Sequence, residues 1–191
     1  MSLDAQPTTS NTSKLWYLWI AVMVLAFDQI TKYWVYVRLR DGDEIDVING
    51  FFKFSYTENQ GIAFGILNNG HVKWLLVAVS VVAISIVVYY IVKTSASNTL
   101  LLWSLSLLAA GICGNLVDRI RMGRVIDFIL LHYHGDYQFP VFNIVDTSIT
   151  IGAALMAIEL FLMPQHEKSH SELASADQPV SLVPQDTNEG H

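Results

Sequence analysis

Four stretches of about twenty residues, each nearly free of charge, constrain this chain more than any other feature. The first runs from Leu15 to about Val37, unbroken by charge as far as Phe27 and then interrupted by Asp28 and Lys32. The second, Trp74 to Val92, carries no charge. The third, about Leu100 to Ile120, is uncharged through Val117 and holds Ala109, Ala110, Gly111 and Gly114, small residues that let helices approach closely in lipid. The fourth, about Asn143 to Met163, stops at Pro164. A helix rising about 1.5 Å per residue needs about 20 apolar residues to cross a hydrocarbon core of about 30 Å. The expectation is an α-helical polytopic membrane protein with four transmembrane helices.

Composition narrows the function classes. At 52% hydrophobic and 15% charged the chain is poorer in charge than soluble domains, where about a quarter of residues are charged. A formal charge of −6 lacks the basic surface of a nucleic-acid binder, and the single Cys113 rules out a disulfide scaffold. Cys113 reads as a small packing residue within the third span. Lys14 ahead of an apolar run resembles a cleaved secretory signal, but Trp16, Tyr17 and Trp19, the length, and the lack of a small-residue cleavage site make it a retained anchor.

The organisation expected is an amino-terminal tail over 1–13, a membrane domain over 14–163 and a carboxyl-terminal tail over 164–191. The last tail carries five acids against Lys168, a composition typical of disorder. The spans are joined by a short link, Lys93 to Thr99, and a long loop over 38–73. In the loop, the hairpin turn signal Asn49-Gly50 precedes Phe51 to Thr57, predicting a small β-hairpin with Phe52, Phe54 and Tyr56 on one face. That face could rest on lipid, cradle an extended peptide, or pack on the helix ends.

Counting spans puts the end of the first, the start of the second, the end of the third and the start of the fourth at one membrane face. Asp28, Lys32, Asn59, Asn115, Asp118, Arg119, Asp127, Asn143 and Asp146 all belong to that face. Ionisable groups at membrane depth are costly, which makes them functional candidates. Each also has a structural reading. Asp28 and Lys32, four apart, can form a helix ion pair. Asn115, Asp118 and Arg119 share a helical face and can anchor the helix end, though an Arg there also suits a phosphate or a peptide carbonyl. Asp146 can be a dipole partner at a helix start. Asp127 sits among apolar residues from Val125 to Leu130. Two carboxylates sharing a partly dry site share a proton, so that one acts as base and the other as acid, as water-mediated amide hydrolysis requires.

Five stretches then resemble one family in order: Asp28-Gln29-Ile30-Thr31-Lys32, Asn59-Gln60-Gly61-Ile62-Ala63-Phe64, Gly114-Asn115-Leu116-Val117-Asp118-Arg119, Gly123-Arg124-Val125-Ile126-Asp127-Phe128 and Phe142-Asn143-Ile144-Val145-Asp146. Together, over about residues 15 to 163, they resemble the bacterial lipoprotein signal peptidases, or signal peptidase II. The family usually has Ala where this chain has Val145, and Ile62 also departs from the commonest form; neither change touches a charge.

The resemblance implies an aspartic intramembrane endopeptidase that cuts prolipoprotein signal peptides before a diacylglyceryl-modified cysteine, without metal or other cofactor. It implies Asp127 and Asp146 as the catalytic pair. Asn59, Gly61, Asn115, Arg119 and Asn143 would hold substrate or orient the carboxylates, with Asp28, Lys32 and Asp118 in support. The long loop would be a peptide cradle. The partners implied are lipid-modified prolipoproteins and membrane lipids, acting on a monomer in the bacterial inner membrane. Both termini would be cytoplasmic and the site extracytoplasmic.

Charge counting points the other way. That orientation leaves Lys14, Lys93 and Lys168 inside, and Arg38, Arg40, Lys53, Lys73, Arg121 and Arg124 outside. The motifs take precedence, because the charge rule is statistical. A proton-coupled transporter or channel would also place Asp, Lys and Arg in spans, but the second span offers no polar residue to continue a path. A metallopeptidase using His132, His134 and Asp136 lacks the His-Glu-x-x-His pattern.

Overall fold

The structure is a computed structural model that describes residues 12–61, 71–133 and 137–162. Ile62, His134, Asp136 and nearly all of both expected tails lie outside the described residues. In chain order the elements are α1 (Thr12–Leu39), β1 (Ile45–Ile48), β2 (Phe52–Asn59), α2 (His71–Lys93), α3 (Thr99–Met122), β3 (Val125–Tyr133), β4 (Tyr137–Gln138) and α4 (Ile144–Leu162). All four helices are long and apolar enough to cross a membrane. The first three contain the predicted spans and overrun them by one to three residues at each end, because interfacial residues continue the hydrogen bonding begun in the apolar run, while α4 is one residue shorter than its predicted span at each end.

Half of the α3 span is buried, against less than a fifth of each of the others, so α3 is the central post. Its glycines explain the closeness of α4: a Cβ at Gly111 would stand 2.8 Å from the Val145 carbonyl oxygen, and one at Gly114 would meet the Val145 side chain. Ser104 donates to the Gly152 carbonyl at 2.8 Å and Ser148 to the Leu107 carbonyl at 3.2 Å, polar ties between helices that lipid cannot replace. Asn98 caps α3 by accepting from the Leu101 N–H, and its amide reaches Glu159 of α4 at 2.8 Å. At the other end Gly123, at φ 77°, closes α3 with its N–H on the Arg119 carbonyl, a left-handed turn that favours glycine and sends the chain directly into β3.

The expected hairpin, β1 and β2, is present, but it forms half of a larger antiparallel sheet ordered β1-β2-β3-β4. β3 comes from the connection between the third and fourth spans, where the sequence pattern indicated no strand. Val125 to Phe128 and Leu130 are all buried, so the run lacks the alternation of a half-exposed strand. Of the three readings of the aromatic face, packing on the helix ends is the one realised. Phe54 and Tyr56 pack on a cluster of Val35, Leu39, Ile126 and Phe128, with ring contacts from Phe54 to Trp34 and from Tyr56 to Tyr36. This packing seats the sheet on the end of α1 and brings β3 to the mouth of the bundle.

Candidate active site

Asp127 lies in the middle of β3 and Asp146 in the first turn of α4. The segment between them is pinned to β3: the Phe142 carbonyl accepts from the Phe128 and Ile129 N–H groups at 3.0 and 2.8 Å, and the Phe142 N–H returns to the Ile129 carbonyl at 3.1 Å. Asn143, fully buried, then caps α4. Its side-chain oxygen accepts from the Asp146 N–H at 2.8 Å, while Asp146 Oδ2 accepts from the Asn143 N–H at 3.2 Å, a reciprocal capping box. The Asn143 amide nitrogen points the other way and donates to Asp127 Oδ1 at 2.7 Å. One residue therefore holds both carboxylates, that of Asp127 through its side-chain amide and that of Asp146 through its backbone N–H. The structural reading of Asp146, a helix-start partner, is realised in the same geometry that aims it at Asp127.

The remaining carboxylate oxygens are held by amides from two other elements. Asn115 of α3 donates to Asp146 Oδ1 at 2.8 Å. Asn59 of β2 donates to Asp127 Oδ2 at 2.9 Å, which the register explains: Thr57 pairs with Asp127, so Asn59 is its diagonal neighbour on the same face of the sheet. Asn59 also accepts from the Gly61 N–H at 2.8 Å. Gly61 has φ +79°, and a Cβ there would run into Leu76, so only glycine lets the chain leave β2 this closely over α2.

Among the described residues every oxygen of these two carboxylates thus has one neutral N–H donor and no cation directly on it. Asp127 is buried, and burial pushes its carboxyl from the ordinary 3.8 up to about 6. The Asn59 hydrogen bond opposes the rise, the nearby Asp146 carboxylate adds to it, and Asn143 and Lys32 oppose it. Asp146 is only half-buried, so the pair is open to solvent or substrate on its side.

Behind the pair lies a buried ion cluster. Lys32 sits between Asp28 at 2.9 Å and Asp118 at 2.7 Å, with all three residues at most 2% exposed. Gln29 bridges the same two acids, donating to each at 3.1 Å. The cluster touches the pair at two points: Lys32 donates to Asn115 Oδ1 at 3.4 Å, and Asp28 accepts from the Val145 N–H, one of the free donors at the start of α4, at 3.4 Å. Asp28 and Lys32 therefore form the expected brace. Arg119, half-buried, feels the charges of Asp146, Asp118 and Asp127 but forms no ion pair and donates no side-chain hydrogen bond among the described residues. Gln29 and Phe142 were not singled out from the sequence, although both lie inside the quoted motifs and flank Asp28 and Asn143.

Four spans, a sheet seated on their ends and a cluster of polar residues at one end define a polytopic membrane enzyme. A family model described as signal peptidase (SPase) II matches residues 20–162. The lipoprotein signal peptidase of Symbiobacterium thermophilum is 40% identical over 144 residues, covering 75% of this chain and 93% of the relative. That of Pseudomonas syringae pv. tomato is 37% identical over 158 residues, covering 81% and 91%. Among solved structures, two described as a bacterial membrane enzyme superpose with TM-scores of 0.69 and 0.68, at 36% and 35% identity. The first covers 78% of this chain and 93% of that one, the second 79% and 90%. The chain belongs to the signal peptidase II family, and with it to the membrane proteases.

Proposed function

We propose that this protease removes signal peptides from bacterial prolipoproteins, cutting on the amino-terminal side of a diacylglyceryl-modified cysteine with Asp127 and Asp146 as its aspartic pair. The observation that carries the reading is the double hold of Asn143, which fixes two carboxylates of unlike burial toward one another. Asp127, buried and raised to about 6, keeps the proton; the half-buried Asp146 takes one from water. The water attacks the scissile carbonyl while the Asp127 proton stabilises the forming oxyanion, and a proton passes to the leaving amine. Arg119 supplies unused donors for a backbone carbonyl of the substrate, and Asn59 with Gly61 borders the entry side. Asp28, Lys32 and Asp118 hold Asn115 and the start of α4 in place.

The protein acts as a monomer in the inner membrane, with the site at the extracytoplasmic face and both termini in the cytoplasm. Ion pairs soften the conflict with charge counting: Arg40 with Asp41, Lys53 with Glu44 and Arg124 with Glu58 stand at 3.4, 2.6 and 2.9 Å. Cleavage of a lipid-modified prolipoprotein by purified protein in liposomes tests the reading. Asp127→Asn and Asp146→Asn should each abolish processing while leaving the helices folded, and full activity in either variant overturns the dyad.

A further inference from the structure

Beside Asp146 lies a cavity of about 280 Å³ lined by Phe139, Phe142, Asp146, Thr147, Thr150 and Ile151. We infer that this groove seats one alkyl chain of the lipid-modified substrate and so sets the register of the scissile bond against the carboxylates. The inference rests on the reading above that the substrate carries lipid next to the bond that is cut.

Three observations point to an alkyl chain. First, the groove is apolar in spite of its threonines. Thr147 gives its hydroxyl to the Asn143 carbonyl at 3.1 Å and Thr150 gives its own to the Asp146 carbonyl at 2.9 Å, so each is satisfied along the helix. The Asp146 carboxylate is the charged group at its edge. Second, the groove opens sideways rather than toward water. Thr147, Thr150, Ile151, Ala154 and Ile158 are all exposed and follow one helical stripe down α4, a membrane-spanning helix, so that among the described residues this stripe faces outward along the bilayer. Ile151 lies about 7.5 Å deeper along the helix than Asp146, the direction a chain anchored at the reacting centre would take. Third, one wall is the helix that carries Asp146 and the other is the segment leading into it, which is pinned to β3 beside Asp127. Phe142, in edge-on contact with Phe139 at 5.9 Å, is hydrogen-bonded to β3 next to Asp127, while the opposite wall is α4 itself.

A chain already dissolved in lipid gains little transfer free energy on entering such a groove, because hydrocarbon surrounds it in either place. What it gains is a fixed position, and positioning acts on the chemical step. The groove should therefore appear in kcat more than in KM.

The test compares two synthetic lipopeptides that differ only in the acyl groups on the glyceryl-cysteine, dipalmitoyl against diacetyl, in detergent micelles. Ile151→Trp, an exposed position where a larger side chain has room to fold, fills the groove. The expected result is a fall of about tenfold in the ratio of kcat for the dipalmitoyl to the diacetyl substrate, with Val79→Trp, an exposed position on α2 outside the groove, within about twofold of the parent. Equal loss on both substrates would mean that the groove takes a peptide side chain, and an unchanged ratio would mean that it is empty during catalysis; either overturns the inference. Failure of the dyad reading looks different, since it leaves Asp127→Asn active on both lipopeptides.

Discussion

Asn143 donates to Asp127 at 2.7 Å from the same side chain whose oxygen takes the Asp146 N–H at 2.8 Å. A helix cap and a carboxylate clamp are thus one residue, and removing it costs both. Asn143→Ala is expected to lose about 1 kcal/mol of stability, the usual worth of an N-cap, measured by thermal unfolding in micelles. The loss of activity should be far larger, about a hundredfold in kcat, because the Asp127 carboxylate loses a donor and the helix turn that carries Asp146 loses its cap. A variant that lost stability but kept its rate would show the clamp to be irrelevant to the chemistry.

Asp127 supplies a second test through its displaced titration. A carboxyl raised from 3.8 to about 6 in the folded state binds its proton more tightly folded than unfolded. Its contribution to stability is therefore fully present below about 4, is lost as pH rises through about 6, and stays lost above that. At about 1.4 kcal/mol per pH unit the difference amounts to at most about 3 kcal/mol, less what Asn59 and Asn143 lose when their acceptor changes. Asp127→Asn should accordingly unfold at higher temperature than the parent at pH 8, with the advantage gone at pH 4. A variant less stable at both values would contradict the burial argument.

The same proton governs turnover. If Asp127 is the acid, the active form carries its proton, and kcat should fall with rising pH along a limb centred at about 6. Steady-state cleavage of a lipopeptide on both sides of that value measures it. A rate that climbed through pH 6 and stayed high would exchange the roles of the two acids.

The sequence was most informative where physics is one-dimensional. Span length alone yields α1 to α4, and the hairpin turn signal yields β1 and β2. The one-sided placement of Asp28, Lys32, Asn115, Asp118 and Asp146 follows from counting spans, since each belongs to a predicted helix. β3 was hidden because Ile126 and Phe128 pack on α1 while Asp127 faces the amides of Asn59 and Asn143. With both faces covered, no alternation survives to be read. The double role of Asn143 was equally invisible: the sequence places an Asn three positions before an acid, but only the pinning of Phe142 onto β3 turns its amide toward Asp127.

Lys32 offers the last test, because its two carboxylate partners are as buried as it is. Removing the cation alone leaves Asp28 and Asp118 facing each other without compensation, and breaking such a buried pair costs about 3–5 kcal/mol. Lys32→Met should therefore unfold well below the parent, or fail to accumulate in the membrane. Neutralising the whole group should undo the damage: Asp28→Asn, Lys32→Met and Asp118→Asn together remove every charge of this cluster while nearly preserving volume, and the triple variant is expected to regain most of the lost stability. Its activity should remain low, since the Lys32 donor to Asn115 and the Asp28 acceptor for the Val145 N–H are changed in the same variant. Thermal unfolding and lipopeptide cleavage on the same preparations separate the two effects. Recovery of stability without recovery of rate is the outcome that makes this cluster a positioning device for Asp146, and recovery of both would make it a brace for the bundle alone.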